Sequence, residues 1–121
     1  MPIRLKLPSG EPLAERALWA HGFAQRAKGL IAHAPLEPGE ALVIDGGSQV
    51  HTFGMRYEID VLFCDKHWVV LHVLRRMPPR RVSRWVRRTR YIVELTGGAA
   101  PDEVAPGVQL ALDHSSFDKR P

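Results

Sequence analysis

The chain has 121 residues, with 17 Lys plus Arg against 13 Asp plus Glu, a formal charge of +4 with His neutral. Apolar residues make up 45% and charged residues 25%, ordinary globular values that exclude a disordered, collagen-like or coiled-coil chain. The single cysteine, Cys64, excludes an internal disulfide.

At this length one domain is expected, over residues 1–112, burying roughly two thirds of its unfolded surface without metal or disulfide staples. No apolar run approaches the roughly 20 residues that span a bilayer, and the first ten residues hold no apolar signal core. A soluble cytoplasmic protein is therefore the expectation.

Gly and Pro divide the chain into short elements. Ile3, Leu5 and Leu7 alternate with Arg4 and Lys6, which predicts a strand over residues 3–7. Residues 15–20 (ERALWA) read as a strand or as the start of a helix. Phe23, Ala27, Leu30 and Ile31 fall at helical spacing before Pro35, so residues 22–33 are read as the one main helix. Gly29 inside it costs about 1 kcal/mol relative to Ala.

After that the pattern is of strands. Residues 41–44 form a short apolar run closed by Asp45-Gly46-Gly47, and residues 50–55 follow as a further strand. The runs 59–64 (IDVLFC) and 68–74 (WVVLHVL), joined by Asp65-Lys66-His67, make a hairpin. Residues 91–95 (YIVEL) are a strand ended by Thr96-Gly97-Gly98, residues 99–104 a helical turn, and 108–112 (VQLAL) the last strand. The polar stretch 113–121 is expected to be a flexible tail. Together these predict a mainly β (α+β) single domain, a β-sandwich or barrel with one helix.

The charge is unevenly spread. Between Arg75 and Arg90 lie eight arginines and no acid, a local charge of +8, which leaves 9 basic and 13 acidic groups, or −4, elsewhere. Such crowding costs self-repulsion unless something anionic meets it. Arg, unlike Lys, grips carboxylate or phosphate with two prongs. A helix starting near Pro79 would gather Val82, Trp85 and Val86 on one face and Arg81, Arg84 and Arg88 on another. As a strand, the same residues sort less cleanly. The run, over residues 75–90, is expected to protrude.

In order along the chain stand Arg26-Ala27-Lys28-Gly29-Leu30, Leu36 with Gly39, His51-Thr52-Phe53-Gly54-Met55, Ile59-Asp60-Val61-Leu62-Phe63, Tyr91-Ile92-Val93-Glu94-Leu95 with Gly98, and Gly107. This order resembles the family called domain of unknown function 192, or uncharacterised protein family 0127. The resemblance implies a small, mainly β fold with a helix and no established activity. Many family members look exported behind a signal peptide, which this chain does not show. The family's Trp-Met-Lys-Asn-Thr reads here as Gly54-Met55-Arg56-Tyr57-Glu58, Ile31 stands where the family prefers Met, and the arginine run replaces a Pro- and Ser-rich loop.

Asp60 and Glu94 each sit inside an apolar run, where a carboxylate needs a partner or loses several kcal/mol to desolvation. Arg26 could supply it. One reading is a structural ion pair tying helix to sheet; the other is a cleft in which Arg26, His51, Met55, Asp60 and Glu94 accept a small or anionic ligand. The six histidines are scattered without metal-ligand spacing, so His51, Met55 and His72 are read as packed or surface residues, with no metal and no cofactor expected. Cys64 reads as a buried thiol rather than a nucleophile.

Three functions follow as expectations. The first is a non-enzymatic binding module using the five residues above. The second is a nucleic-acid-associated protein using Arg80, Arg81, Arg84, Trp85, Arg87, Arg88 and Arg90. The third is an enzyme with Asp60 or Glu94 as acid or base, which needs a carboxylate both perturbed and reachable by solvent.

Overall fold

The computed structural model describes residues 3–20 and 36–114. Seven strands run in chain order: β1 (Ile3–Lys6), β2 (Pro12–Ala20), β3 (Glu40–Asp45), β4 (Ile59–Cys64), β5 (Val70–Met77), β6 (Tyr91–Thr96) and β7 (Ala111–His114). They form one sheet in the order β5-β4-β6-β3-β2-β1-β7, curled into a half-barrel. Every neighbouring pair is antiparallel except β2 and β3, which are parallel. A parallel pair needs a long crossover connection. The expected helix over 22–33 falls in that connection and lies outside the described residues, among which no helix occurs.

The central strands are continuous apolar runs because both of their faces are buried. Val43, Leu62, Val93 and Leu95 pack with Leu5, Ala17 and Cys64 in one cluster. Their chain neighbours Leu42, Val61 and Ile92 pack with Phe63, Met55 and Val86 in a second, on the opposite face. Strands as distant in the order as β1 and β4 share the first cluster, which requires the curl. At one end of it the rings of Trp68 and Tyr91 stack 4.0 Å apart, with Trp19 edge-on to both.

Residues 97–110 cover the first cluster and tie the two edges of the sheet together. Just before β7, the Gly107 amide donates to Val70 O, the Val70 amide to Val108 O and the Leu110 amide to Trp68 O. Arg75 Nη2 donates to Pro101 O at 2.9 Å and Val104 O at 2.7 Å. The anchor of this cover is Asp60, whose side chain is 0% exposed. Its Oδ1 accepts the amides of Arg76 (2.8 Å) and Gly98 (2.9 Å), and its Oδ2 that of Ala100 (2.8 Å). Gly98 has φ +87, a backbone conformation that glycine adopts without the strain an L side chain would carry.

Several expected boundaries move. Residues 15–20 are strand, the latter part of β2. Residues 50–55 are not a strand: the Met55 amide turns back to Thr52 O and Gly54 takes φ 89, leaving one antiparallel bridge, His51 to Val82. β5 starts at Val70 rather than Trp68, because Asp65 Oδ1 accepts the His67 and Val69 amides and Trp68 is left-handed at φ 66. Residues 99–104 are tight turns, and β7 runs two residues into the expected tail, where Asp113 meets Lys6 Nζ at 3.2 Å. Residues 75–77 of the arginine run are the end of β5, and the rest of it, 78–90, is neither helix nor strand and does not protrude; it lies against residues 46–52.

Replacing Asp60 by Ala strands three amides in a closed region, at about 1 kcal/mol or more each. Urea unfolding should show a loss of at least about 3 kcal/mol with an unchanged slope. A loss under about 1 kcal/mol would mean water satisfies those amides.

Candidate functional site

Two irregular segments, 48–57 and 78–90, lie over the second apolar cluster. Irregular backbone has no ladder to satisfy its polar groups, so here the segments satisfy each other. The Thr52 amide donates to Arg81 O at 2.9 Å, the Ser83 amide to Val50 O at 2.9 Å and the Val86 amide to Ser48 O at 2.9 Å. Two buried hydroxyls reinforce this. Thr52 Oγ1 donates to Pro78 O at 2.7 Å and accepts the Arg81 amide at 2.9 Å. Ser83 Oγ accepts the Val50 amide at 3.0 Å and donates to Arg84 O at 2.9 Å. Val86 is buried beneath the pair, while Trp85 is 63% exposed, Val82 54% and Phe53 50%. The helical grouping of Val82, Trp85 and Val86 is thus not formed.

The eight arginines divide into two sets. Arg75 holds the 97–110 cover, Arg76 Nη1 meets Glu58 at 3.3 Å, and Arg90 Nε meets Asp45 at 2.8 Å with its guanidinium 5.3 Å from the Tyr91 ring centre. Arg90, expected on the patch, is therefore neutralised within the fold. Arg80, Arg81, Arg84, Arg87 and Arg88 are exposed, and among the described residues no acid pairs with any of them. They share the two paired segments with exposed Trp85, Val82, Phe53 and His51, and the His51 ring is 5.8 Å from that of Phe53. Thr52 and Ser83 were not expected as site residues, since their roles depend on contacts about thirty residues away; Phe53 was not expected either, and its exposure is set by the turn at Gly54.

Of the five residues expected to share a ligand cleft, the four described ones are not gathered into one. Glu94 lies between Leu42 and Val61 on the second face. Asp60 lies opposite Leu95 and reaches Ala100, so it points to the first. His51 is on the outer surface, Met55 is buried in the second cluster, and Arg26 lies outside the described residues. Among the described residues, Asp60 is held by three backbone amides. Burial pushes the Glu94 carboxyl up to about 7, and its charge in turn raises the half-buried Tyr57, after that ring's own desolvation. Glu94 is perturbed but only 5% exposed, and Asp60 is sealed, so neither meets both conditions for an acid or base.

Cys64 is fully buried, its thiol pushed up to about 12 by desolvation and then by Asp65, which leaves it inert. Among the described residues no group of three or more His, Cys, Asp or Glu could hold a metal ion, and no helix is long and apolar enough to cross a membrane.

The profile of the DUF192 family, described as uncharacterised ACR, COG1430, matches residues 7–112. A Novosphingobium aromaticivorans protein of unknown function superposes with a TM-score of 0.75 at 19% identity, over 92% of this chain and 84% of that one. A Sinorhizobium meliloti protein described as a candidate transcription regulator gives 0.75 at 21% identity, over 91% of each. A Burkholderia pseudomallei protein described as a candidate exported protein gives 0.52 at 16% identity, over 93% of this chain but 24% of that one. These likenesses are of fold. No protein of curated function matches.

Glu94 makes stability depend on pH with a defined sign. Its folded value, about 7, lies above the ordinary 4.5, so between those values the folded chain keeps a proton that the unfolded chain releases. Its contribution is fully present below pH 4.5 and is lost as pH rises through 7. Glu94→Gln should remove that fall and be more stable than the parent at pH 8 by up to about 3 kcal/mol. Urea midpoints from pH 4.5 to 8 measure this; parallel profiles for the two proteins would show that Glu94 is ionised in the fold.

Proposed function

The chain belongs to the DUF192 family, whose description carries no activity, and from its own surface we propose a cytoplasmic module that binds single-stranded nucleic acid through the 48–57 and 78–90 segments. The observation that carries this reading is the set of five exposed arginines, unpaired with acids among the described residues, on the same pair of segments as exposed Trp85 and Phe53. Guanidinium groups grip phosphates, and an exposed indole offers a face for an unpaired base. Duplex readout would need a helix or a two-stranded ribbon able to enter a groove, and the irregular pair supplies neither.

Backbone strain supports the same reading. Arg80 and Arg88 bracket the exposed segment at φ 64 and φ 69, where glycine is the unstrained residue. Each costs about 1 kcal/mol relative to glycine, and neither side chain forms an ion pair with a described residue that would offset it. Strain kept without internal return marks functional positions. The small-ligand reading lacks such support because Asp60 and Glu94 face opposite sides of the sheet, and the acid/base reading because both carboxyls are buried.

Anisotropy of a labelled oligothymidylate should report binding that weakens with salt at a log–log slope of about −3.5, five contacts at roughly 0.7 each. Trp85→Ala should cost about 1–3 kcal/mol of affinity. No binding at low salt, or binding to anionic vesicles but not to the oligonucleotide, overturns the proposal. Arg88→Gly separates strain from contact: the variant should unfold about 1 kcal/mol later yet bind more weakly, with the slope smaller by roughly 0.7. An Arg88→Gly protein that binds as tightly as the parent would remove Arg88 from the interface.

A further inference from the structure

Resting on that reading of the arginine segment, we infer that the strand is held at two base-stacking positions, Trp85 at one end of the paired segments and a platform of Phe53, His51 and Val82 at the other, spaced so that neighbouring bases cannot fill both.

Backbone pairing fixes where these side chains stand. The Thr52 amide donates to Arg81 O and the Ser83 amide to Val50 O, both at 2.9 Å, which makes His51 and Val82 a non-hydrogen-bonded antiparallel pair. In such a pair the two side chains rise on one face, with Cβ atoms about 4.5–5.5 Å apart. The alternate residues Val50, Thr52 and Ser83 are buried, so the face that carries His51 and Val82 is the outer one. Phe53 joins them there, its ring 5.8 Å from that of His51 and tilted by 39°. The left-handed turn at Gly54 folds the chain back directly after Phe53 and leaves that ring half exposed. Two rings and an isopropyl group give a base an apolar floor.

Trp85 stands at the other end. The Val86 amide donates to Ser48 O at 2.9 Å, which sets Trp85 beside residue 49, four positions from Phe53. Extended backbone rises about 3.4 Å per residue, so the two positions lie about 14 Å apart. Stacked nucleotides also advance about 3.4 Å each, so the span is about four base steps, or fewer in a stretched strand. Arg80 and Arg81 belong to the Phe53 end, where the Arg81 amide bonds Thr52 Oγ1, and Arg84, Arg87 and Arg88 flank Trp85 in the chain. Each stacked base therefore has guanidinium groups near for its phosphates. Phe53 and Val82 offer no polar atom to a base edge, so this position accepts any base by its face.

The test measures anisotropy of labelled oligothymidylates, from dinucleotide to octanucleotide, with the full chain in low salt. Phe53→Ala should weaken octanucleotide binding about tenfold and leave dinucleotide binding unchanged, because a dinucleotide occupies Trp85 alone. The slope against salt should stay as in the parent, since no phosphate contact is removed. His51→Ala should lose about threefold on the octanucleotide only, and Phe53→Trp should bind like the parent. A Phe53→Ala protein that binds the octanucleotide as tightly as the parent, or that loses equally on both lengths, overturns this inference and leaves the interface of Trp85 and the arginines standing. Absence of binding at every length overturns both.

Discussion

Burial of the central strands on both faces is the constraint from which the rest of this structure follows. In β3, β6 and β4, successive residues such as Leu42 and Val43, Ile92 and Val93, or Val61 and Leu62 belong to opposite apolar clusters. Neither face can be left to water, so the chain must supply a cover for each. Residues 97–110 cover one and segments 48–57 and 78–90 lie over the other. Because both covers are irregular, their amides and carbonyls need partners that no ladder provides. Asp60 serves the first cover, and Thr52 and Ser83 the second, each through a side chain that bonds backbone rather than another side chain.

This explains which parts of the fold could be read from residue patterns. Apolar runs such as 59–64 and 91–95 identify central strands because double burial leaves no polar alternation to blur them. The β4–β5 hairpin is marked by its polar turn, although the side chain of Asp65 shifts the start of β5 by two residues. Residues 50–55 looked like a strand because Val50, Thr52 and Met55 have the right composition. The hydrogen bonds of Val50 and Thr52 instead go to Ser83 and Arg81, about thirty positions away, and local pattern carries no information about such partners. The same limit applies to Asp60, where an apolar setting correctly demanded a partner but could not say that three amides would supply it.

Charge shows a similar division between what composition reveals and what geometry decides. The arginine run was evident, yet position along it does not tell which members are neutralised. Arg75, Arg76 and Arg90 stand at the ends, where the run joins β5 and β6, and there they meet Pro101, Glu58 and Asp45. The five between them lie on the segment whose inner side is taken by Ser83 and Val86, so their long side chains have only the outer surface left. Separation of the two sets follows from sheet register, with no need for any special feature of the arginines themselves.

A basic segment held in this way differs physically from a basic tail of equal charge. A tail loses conformational freedom when it meets a polyanion, and that loss reduces the affinity gained from each contact. Here the Thr52 and Ser83 hydroxyls have already fixed the backbone that carries Arg80 to Arg88, and the left-handed residues at both ends set the direction in which it leaves and rejoins the sheet. The ordering cost is met during folding, by burial of Val86 and its neighbours, instead of during binding. Fixed spacing also imposes selectivity: phosphates that cannot match the separations among these guanidinium groups lose contacts outright, which a flexible chain would recover by rearranging. The cover of a hydrophobic face and the proposed anion-binding surface are thus the two sides of one segment, and its rigidity arises from the first role.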